Sequence, residues 1–216
     1  LRGRLLCLEG IDGAGTTTQR ARLAGWLSGL GLEVHVTREP SDGPIGTLVR
    51  QVLGGRLVGP SLAGGPEPFD RGALALLFAA DRLDHVAAEI APRLRAGQVV
   101  LTDRYLHSSL AYQSLDLPSE WVESINARAK TPDLAMWVRV DPGVAVARIQ
   151  ARQGAQRDIY EQLGTLEAVH RHYARLFAPD SPSLATVDGD RPVESVTAAL
   201  QAAIVAWAAA SAESAR

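Results

Sequence analysis

Gly10-Ile11-Asp12-Gly13-Ala14-Gly15-Thr16-Thr17-Thr18 follows an apolar stretch, Arg4–Glu9, and precedes a helical pattern. Glycines at this spacing let successive backbone N–H groups turn toward one anion, and a helix N-terminus behind them adds partial positive charge. The chemistry is phosphate binding. Gly10 and Gly15 have the spacing of a P-loop, and Thr17 holds the position whose hydroxyl meets Mg²⁺. The position that should carry lysine is Thr16. A second acidic signal is Val99-Val100-Leu101-Thr102-Asp103, a buried-strand pattern that ends in a carboxylate. Beside a phosphate loop, such a group helps hold Mg²⁺, directly or through water. A degenerate loop alone could equally be a glycine-rich turn that binds nothing, and many strands of α/β sheets end in Asp.

These groups need a scaffold that gathers strand ends. Arg4–Glu9, Glu33–Thr37, Gln98–Thr102, Leu134–Val140 and Leu184–Val187 read as strands, nearly continuous in apolar character. Helical patterns fill the intervals at Gly15–Leu30, Ile45–Leu53, Arg71–Ala96, Trp121–Ala129, Val144–Gln150, Leu163–Phe177 and Pro192–Ala210. Strands separated by helices imply right-handed crossovers and a parallel sheet covered on both faces. The fold class expected is therefore α/β, a three-layer P-loop NTPase-type sandwich of about five parallel strands. Gly54–Pro68, rich in Gly and Pro, is expected to be a loop.

The 216 residues suit a single domain, 1–216, with a small lid near residues 150–160. A net charge of −2 disfavours a nucleic-acid binder, which needs a basic field. No apolar run is expected to span a bilayer, and the first residues lead into a strand without the long apolar core of a signal peptide. Cys7 is the only cysteine, so no intrachain disulfide forms and a reducing, cytoplasmic setting is expected. Lys130 is the only lysine, which leaves arginine as the cation for phosphate. His170 and His172 lie two apart on a helical pattern, a poor metal pair, and the other histidines read as structural or surface residues.

Beyond Asp103 the chain continues Arg104-Tyr105-Leu106-His107-Ser108-Ser109-Leu110-Ala111-Tyr112-Gln113. This resembles bacterial thymidylate kinase, whose third strand ends in D-R-Y/H followed by S-x-x-A-Y-Q. Thr37-Arg38-Glu39-Pro40 resembles the T-R-E-P segment of that family, and Leu77-Phe78-Ala79-Ala80-Asp81-Arg82 its L-F-A-A-D-R helix. Pro132-Asp133-Leu134 and Val140-Asp141-Pro142 resemble the P-D-L…D-x-D-P strand, with Arg139 in place of the first aspartate. The matches run from Arg4 to about Glu161.

The resemblance implies Mg²⁺-dependent transfer of the ATP γ-phosphate to dTMP, with residues 10–18 holding ATP, Thr17 and Asp103 the metal, and a homodimer as the assembly. It places Phe78 on the thymine ring, Arg82 at a thymine carbonyl, Ser108, Ser109 and Gln113 at the base side, and Tyr112 under the deoxyribose. Arg38, Arg50 and Arg104 would hold the acceptor phosphate, with Glu39 nearby and Asp12 orienting Mg²⁺ or an arginine. The family's lid implies a catalytic arginine, here Arg152 or Arg157, in place of the missing lysine. Losing one preorganised donor costs roughly 10²–10³ in rate. Each side chain also has a plainer reading, as core (Phe78) or as a solvated charge (Arg50, Arg152, Arg157). Three rivals stay open: a kinase for another nucleoside monophosphate, a weakened or inactive nucleotide-binding homologue, and a generic P-loop ATPase.

Overall fold

The computed structural model describes residues 1–59, 67–151 and 163–213. Strand β1 (Leu5–Glu9) leads through the glycine-rich loop into α1 (Thr16–Gly29), and β2 (Val34–Arg38) is followed by α2 (Pro44–Leu53). Next come α3 (Arg71–His85), a π-helical turn at Val86–Ile90, α4 (Ala91–Arg95) and β3 (Val99–Asp103). After α5 (Leu106–Tyr112), a 3₁₀ turn and α6 (Ser119–Asn126), the chain forms β4 (Leu134–Arg139), α7 (Pro142–Ala151), α8 (Leu163–Leu176), β5 (Leu184–Asp188) and α9 (Val193–Glu213).

The five strands are all parallel, in the order β2-β3-β1-β4-β5. Every strand thus points its carboxyl end to the same side. β1 lies at the centre, registered Leu8↔Asp103 on β3 and Glu9↔Trp137 on β4. Ligands of open parallel sheets bind at the carboxyl ends where crossovers diverge, and here β1 and β3 supply that point.

The three inner strands bury their apolar runs, whereas β2 and β5 are only partly covered because each has one neighbour. The expectation of uniformly buried strands fails at these two edges. On one face α1 and α9 pack against the sheet and each other, through Leu23, Leu27, Val196, Leu200, Ile204 and Trp207. Opposite them, Leu166, Val169 and Tyr173 of α8 join Leu74 and the strand residues in the core. Cys7 sits on β1 between β3 and β4, fully buried.

Three further readings are corrected. The helical stretch 71–96 contains a π turn, and Leu106–Tyr112, quoted only as a motif, is a helix. By length and composition α9 is apolar enough to cross a membrane, against the expectation that no run reaches that length. Its stripe of Val196, Leu200 and Ile204 is packed against the domain, while most of the helix's other residues, many of them alanine, are not buried.

Candidate active site

The glycine-rich loop is shaped by its neighbours as well as by its own residues. Gly13 has φ 83°, and a Cβ there would lie 2.5 Å from the carbonyl oxygen of Ala145 on α7. Only glycine fits both conditions. Gly15, at φ 87°, precedes α1 and lets the loop close over the helix N-terminus.

Around this loop lies a cavity lined by Ile11, Asp12, Gly13, Gly15, Thr16, Thr17 and Thr18, and by Asp103 at the end of β3. Gly10 and Ala14 are not among its lining residues; they pack beneath it, where a Cβ on Gly10 would meet Ala14 at 3.0 Å. Thr17 Oγ1 donates to Asp103 Oδ2 at 2.6 Å. The other oxygen, Asp103 Oδ1, is buried and has no hydrogen-bond partner among the described residues. A hydroxyl and an under-used carboxylate beside a phosphate loop suit Mg²⁺, which takes few protein ligands and completes its shell with phosphate oxygens and water. Among the described residues no group of three or more His, Cys, Asp or Glu could enclose a metal by itself.

Three arginines border the same cavity: Arg38, Arg104 and Arg148. Arg148, in the last turn of α7, is tied to the Gly189 carbonyl at 3.1 Å. Arg38 pairs with Asp42 at 2.8 Å and is half exposed. Arg50 faces elsewhere: it donates to the carbonyls of Pro40, at 2.9 Å, and Ser41, and lines neither cavity. In this structure it buttresses the turn after Glu39, whose bond to Pro40 is cis. Arg152 and Arg157 lie outside the described residues.

A second cavity opens beside the first and shares Asp12, Glu39 and Arg104 with it. Phe78 and Arg82, one turn apart on α3, form one side; Ser108, Ser109, Tyr112 and Gln113 form the other. Arg82 is 1% exposed. Its Nε and Nη2 both reach Glu39 Oε2, at 2.9 and 2.7 Å, and Nη2 also donates to Ser109 Oγ at 2.9 Å. Nη1 donates to Asn126 Oδ1. So many acceptors fix the guanidinium plane, a charge-assisted arrangement that does not depend on ligand. Gln113 Oε1 is buried in this cavity without a partner among the described residues, an acceptor suited to a base N–H.

Arg104 joins the two cavities. Its φ of 67° is left-handed, uncommon for a non-glycine residue. Nη2 meets Asp12 Oδ1 at 2.5 Å, Nη1 meets Ser108 Oγ at 3.3 Å, and the guanidinium lies 5.0 Å from the centre of the Tyr112 ring. The Tyr112 hydroxyl in turn accepts from the Asp12 N–H at 3.2 Å. Burial pushes the Tyr112 phenol well above its usual range, which keeps it neutral.

Several contributors had no role assigned from the sequence. Glu9 is fully buried at the end of β1, and burial raises its carboxyl despite hydrogen bonds from Ser108 and Tyr173. Asp81, part of a quoted motif without a role, accepts from Ser41 N and Oγ at 2.8 and 2.5 Å and so shapes the turn beside Glu39. His85 Nδ1 lies 3.3 Å from Glu39 Oε1. Burial pulls the His85 imidazole down, but Glu39, Glu89 and Asp81 outweigh it and its pKa is raised. A carboxylate ending an otherwise apolar strand next to Gly10 was the one available pointer to Glu9.

A family model described as thymidylate kinase matches residues 8–200. A probable thymidylate kinase of Pyrobaculum aerophilum is 39% identical over 195 residues, covering 89% of this chain and 92% of that protein. One from Pyrococcus abyssi is 40% identical over 177 residues, with 82% and 83% covered. A thymidylate kinase of Synechococcus sp. RCC307 is 40% identical over 209 residues, with 91% and 92% covered.

Proposed function

The chain belongs to the thymidylate kinase family, and from that premise we infer that it transfers the γ-phosphate of ATP to dTMP, giving dTDP for dTTP synthesis. The observation that carries this reading is the pair of adjoining cavities, one at the phosphate loop and one between Phe78 and Gln113, with Asp12, Glu39 and Arg104 in both walls. A generic P-loop ATPase has no need of the second cavity.

The base of dTMP stacks on Phe78, a flat apolar platform. Arg82, locked by Glu39 and Ser109, donates to a thymine carbonyl, and Gln113 Oε1 accepts the base N–H. Cytosine carries an amino group where thymine has that carbonyl, so Arg82 would face a donor and reject it. Ser108 supports this wall, and Tyr112 packs under the sugar. Arg104, with Arg38 at the end of β2, neutralises the acceptor phosphate, and Arg50, reaching from α2, supports the turn beside Glu39. Residues 10–18 hold the ATP phosphates through backbone N–H groups. Thr17 and Asp103 hold Mg²⁺, which when bound neutralises charge on the donor phosphates. Transfer needs positioning and charge stabilisation more than covalent help. Arg152 and Arg157 of the lid are the proposed substitutes for the lysine that Thr16 replaces. A homodimer and a cytoplasmic setting complete the proposal, the latter fitting a single thiol buried in the core.

The test is ADP formation by the purified protein with ATP and Mg²⁺, with dTMP, dUMP, dCMP, AMP or no acceptor. Turnover is expected only with dTMP or, more slowly, dUMP. Thr16→Lys, run alongside, should change the rate little if lid arginines already supply the charge. Failure to make ADP while dTMP still binds would replace the kinase reading by that of a nucleotide-binding homologue.

A further inference from the structure

Glu9 has no role in the transfer as derived so far, yet its side chain is fully buried one residue before Gly10. Burying a carboxylate is costly, and apolar replacements of buried charges are often as stable or more so. Core packing alone therefore does not account for it. Both carboxylate oxygens are used: Oε1 accepts from the Tyr105 N–H at 3.0 Å, and Oε2 accepts from Ser108 Oγ at 2.6 Å and from the Tyr173 hydroxyl at 3.0 Å.

Two of those donors bear on Arg104. Tyr105 is the next residue in the chain, so its N–H belongs to the peptide that leaves the left-handed Arg104. Pinning that peptide opposes relaxation of Arg104 to an ordinary φ. Ser108 donates to Glu9 and accepts from Arg104 Nη1 at 3.3 Å, so one hydroxyl relays the carboxylate's charge to the guanidinium. On the opposite side Asp12 meets Nη2 directly. The short segment from Glu9 to Asp12 thus grips Arg104 twice, once through Ser108 and once by contact, while its middle residues begin the phosphate loop.

We propose that Glu9 is a positioning residue for phosphoryl transfer: it holds Arg104 in its left-handed conformation and keeps its guanidinium in fixed register with the donor phosphate loop. The proposal rests on the dTMP kinase reading above. It makes the strand end a mechanical link between donor and acceptor sites, since Gly10 and Glu9 move as one.

The test measures kcat and the KM for dTMP and for ATP in wild type, Glu9→Gln, Ser108→Ala, Arg104→Lys and the doubles of each of the first two with Arg104→Lys. The amide of Glu9→Gln keeps the shape but loses one acceptor and the charge. It should lower kcat by about 10- to 100-fold, leave the KM for ATP within about twofold, and cost under about threefold when Arg104 is already lysine. Ser108→Ala cuts the relay, together with the Ser108–Tyr173 contact at 2.8 Å, but leaves the Glu9 carboxylate and its bond from the Tyr105 N–H in place; it should show the same non-additivity, which decides the matter should Glu9→Gln not fold. Rates like wild type, or equal losses with and without Arg104→Lys, overturn the proposal. A wild type inert toward dTMP would instead remove the kinase reading, and the positioning role with it.

Discussion

His107 lies against Phe177 with ring centres 5.1 Å apart, and its side chain is 13% exposed. Burial, reinforced by the charge of Arg82, lowers its pKa from 6.5 to about 4. The unfolded chain therefore takes up a proton near pH 6.5 that the folded protein refuses until about pH 4. Stability from this residue is fully present above pH 6.5 and is lost as pH falls through that window, by about 3 kcal/mol at most. Urea unfolding of wild type and His107→Gln between pH 7 and 4 checks this. The variant should lose less stability on acidification, and parallel curves would refute the assignment. Other side chains differ in how openly the sequence displayed them. Phe78, Arg82, Ser109 and Gln113 stood in dense motifs, and the fold brings them around one cavity. Arg50 stood in no such motif and turns to the carbonyls of residues 40 and 41. Glu9, Asn126 and Tyr173 act through partners 44 to 164 residues away in the chain, as the Arg82–Asn126 and Tyr173–Glu9 bonds illustrate, and no local pattern encodes such pairings.

At the level of elements, strand periods were legible to within one residue at each end because buried parallel strands need unbroken apolar runs. Less was legible where polar demands interrupt the pattern. Leu106–Tyr112 has two serines and a histidine in seven residues, and its helix forms because Ser108, Ser109 and Tyr112 all find partners in the site. The π turn after His85 likewise left no mark on the apolar spacing. The contact between α2 and α3 is set by a missing side chain. A Cβ on Gly46 would stand 2.1 Å from the Ser41 carbonyl oxygen and 2.8 Å from Asp81 Oδ1. Gly46→Ala must lift α2 from the turn and strain the Ser41–Asp81 bond. We expect a loss of roughly 1–3 kcal/mol in denaturant unfolding, typical of overpacking, with a severalfold rise in the KM for dTMP because Glu39 borders that turn. Unchanged stability would mean that α2 shifts freely and that Gly46 sets nothing.

Across the whole molecule, the order β2-β3-β1-β4-β5 puts β1 at the centre, so the strand that carries the phosphate loop has the fewest routes to solvent. The parallel sheet and its helical layers followed from the alternation of elements, whereas which strand is central could not be read from strands of similar composition. That central position has a consequence for Cys7. Burial keeps its thiol protonated far above the usual range, and a thiol must ionise to react. In the native protein it is out of reach of any alkylating reagent. Modification must wait for the helical layer over its face of the sheet to lift from β1, so the reaction counts openings of the core. Under native conditions, alkylation should follow single-exponential kinetics, and at high reagent its rate should level off at the unfolding rate. Saturating dTMP should slow alkylation below that plateau in proportion to the ligand's own stabilisation of the fold. A rate that kept climbing to that of a free cysteine would show instead that the centre of the sheet breathes locally. In this way a residue with no part in catalysis becomes a clock for the lifetime of the folded state.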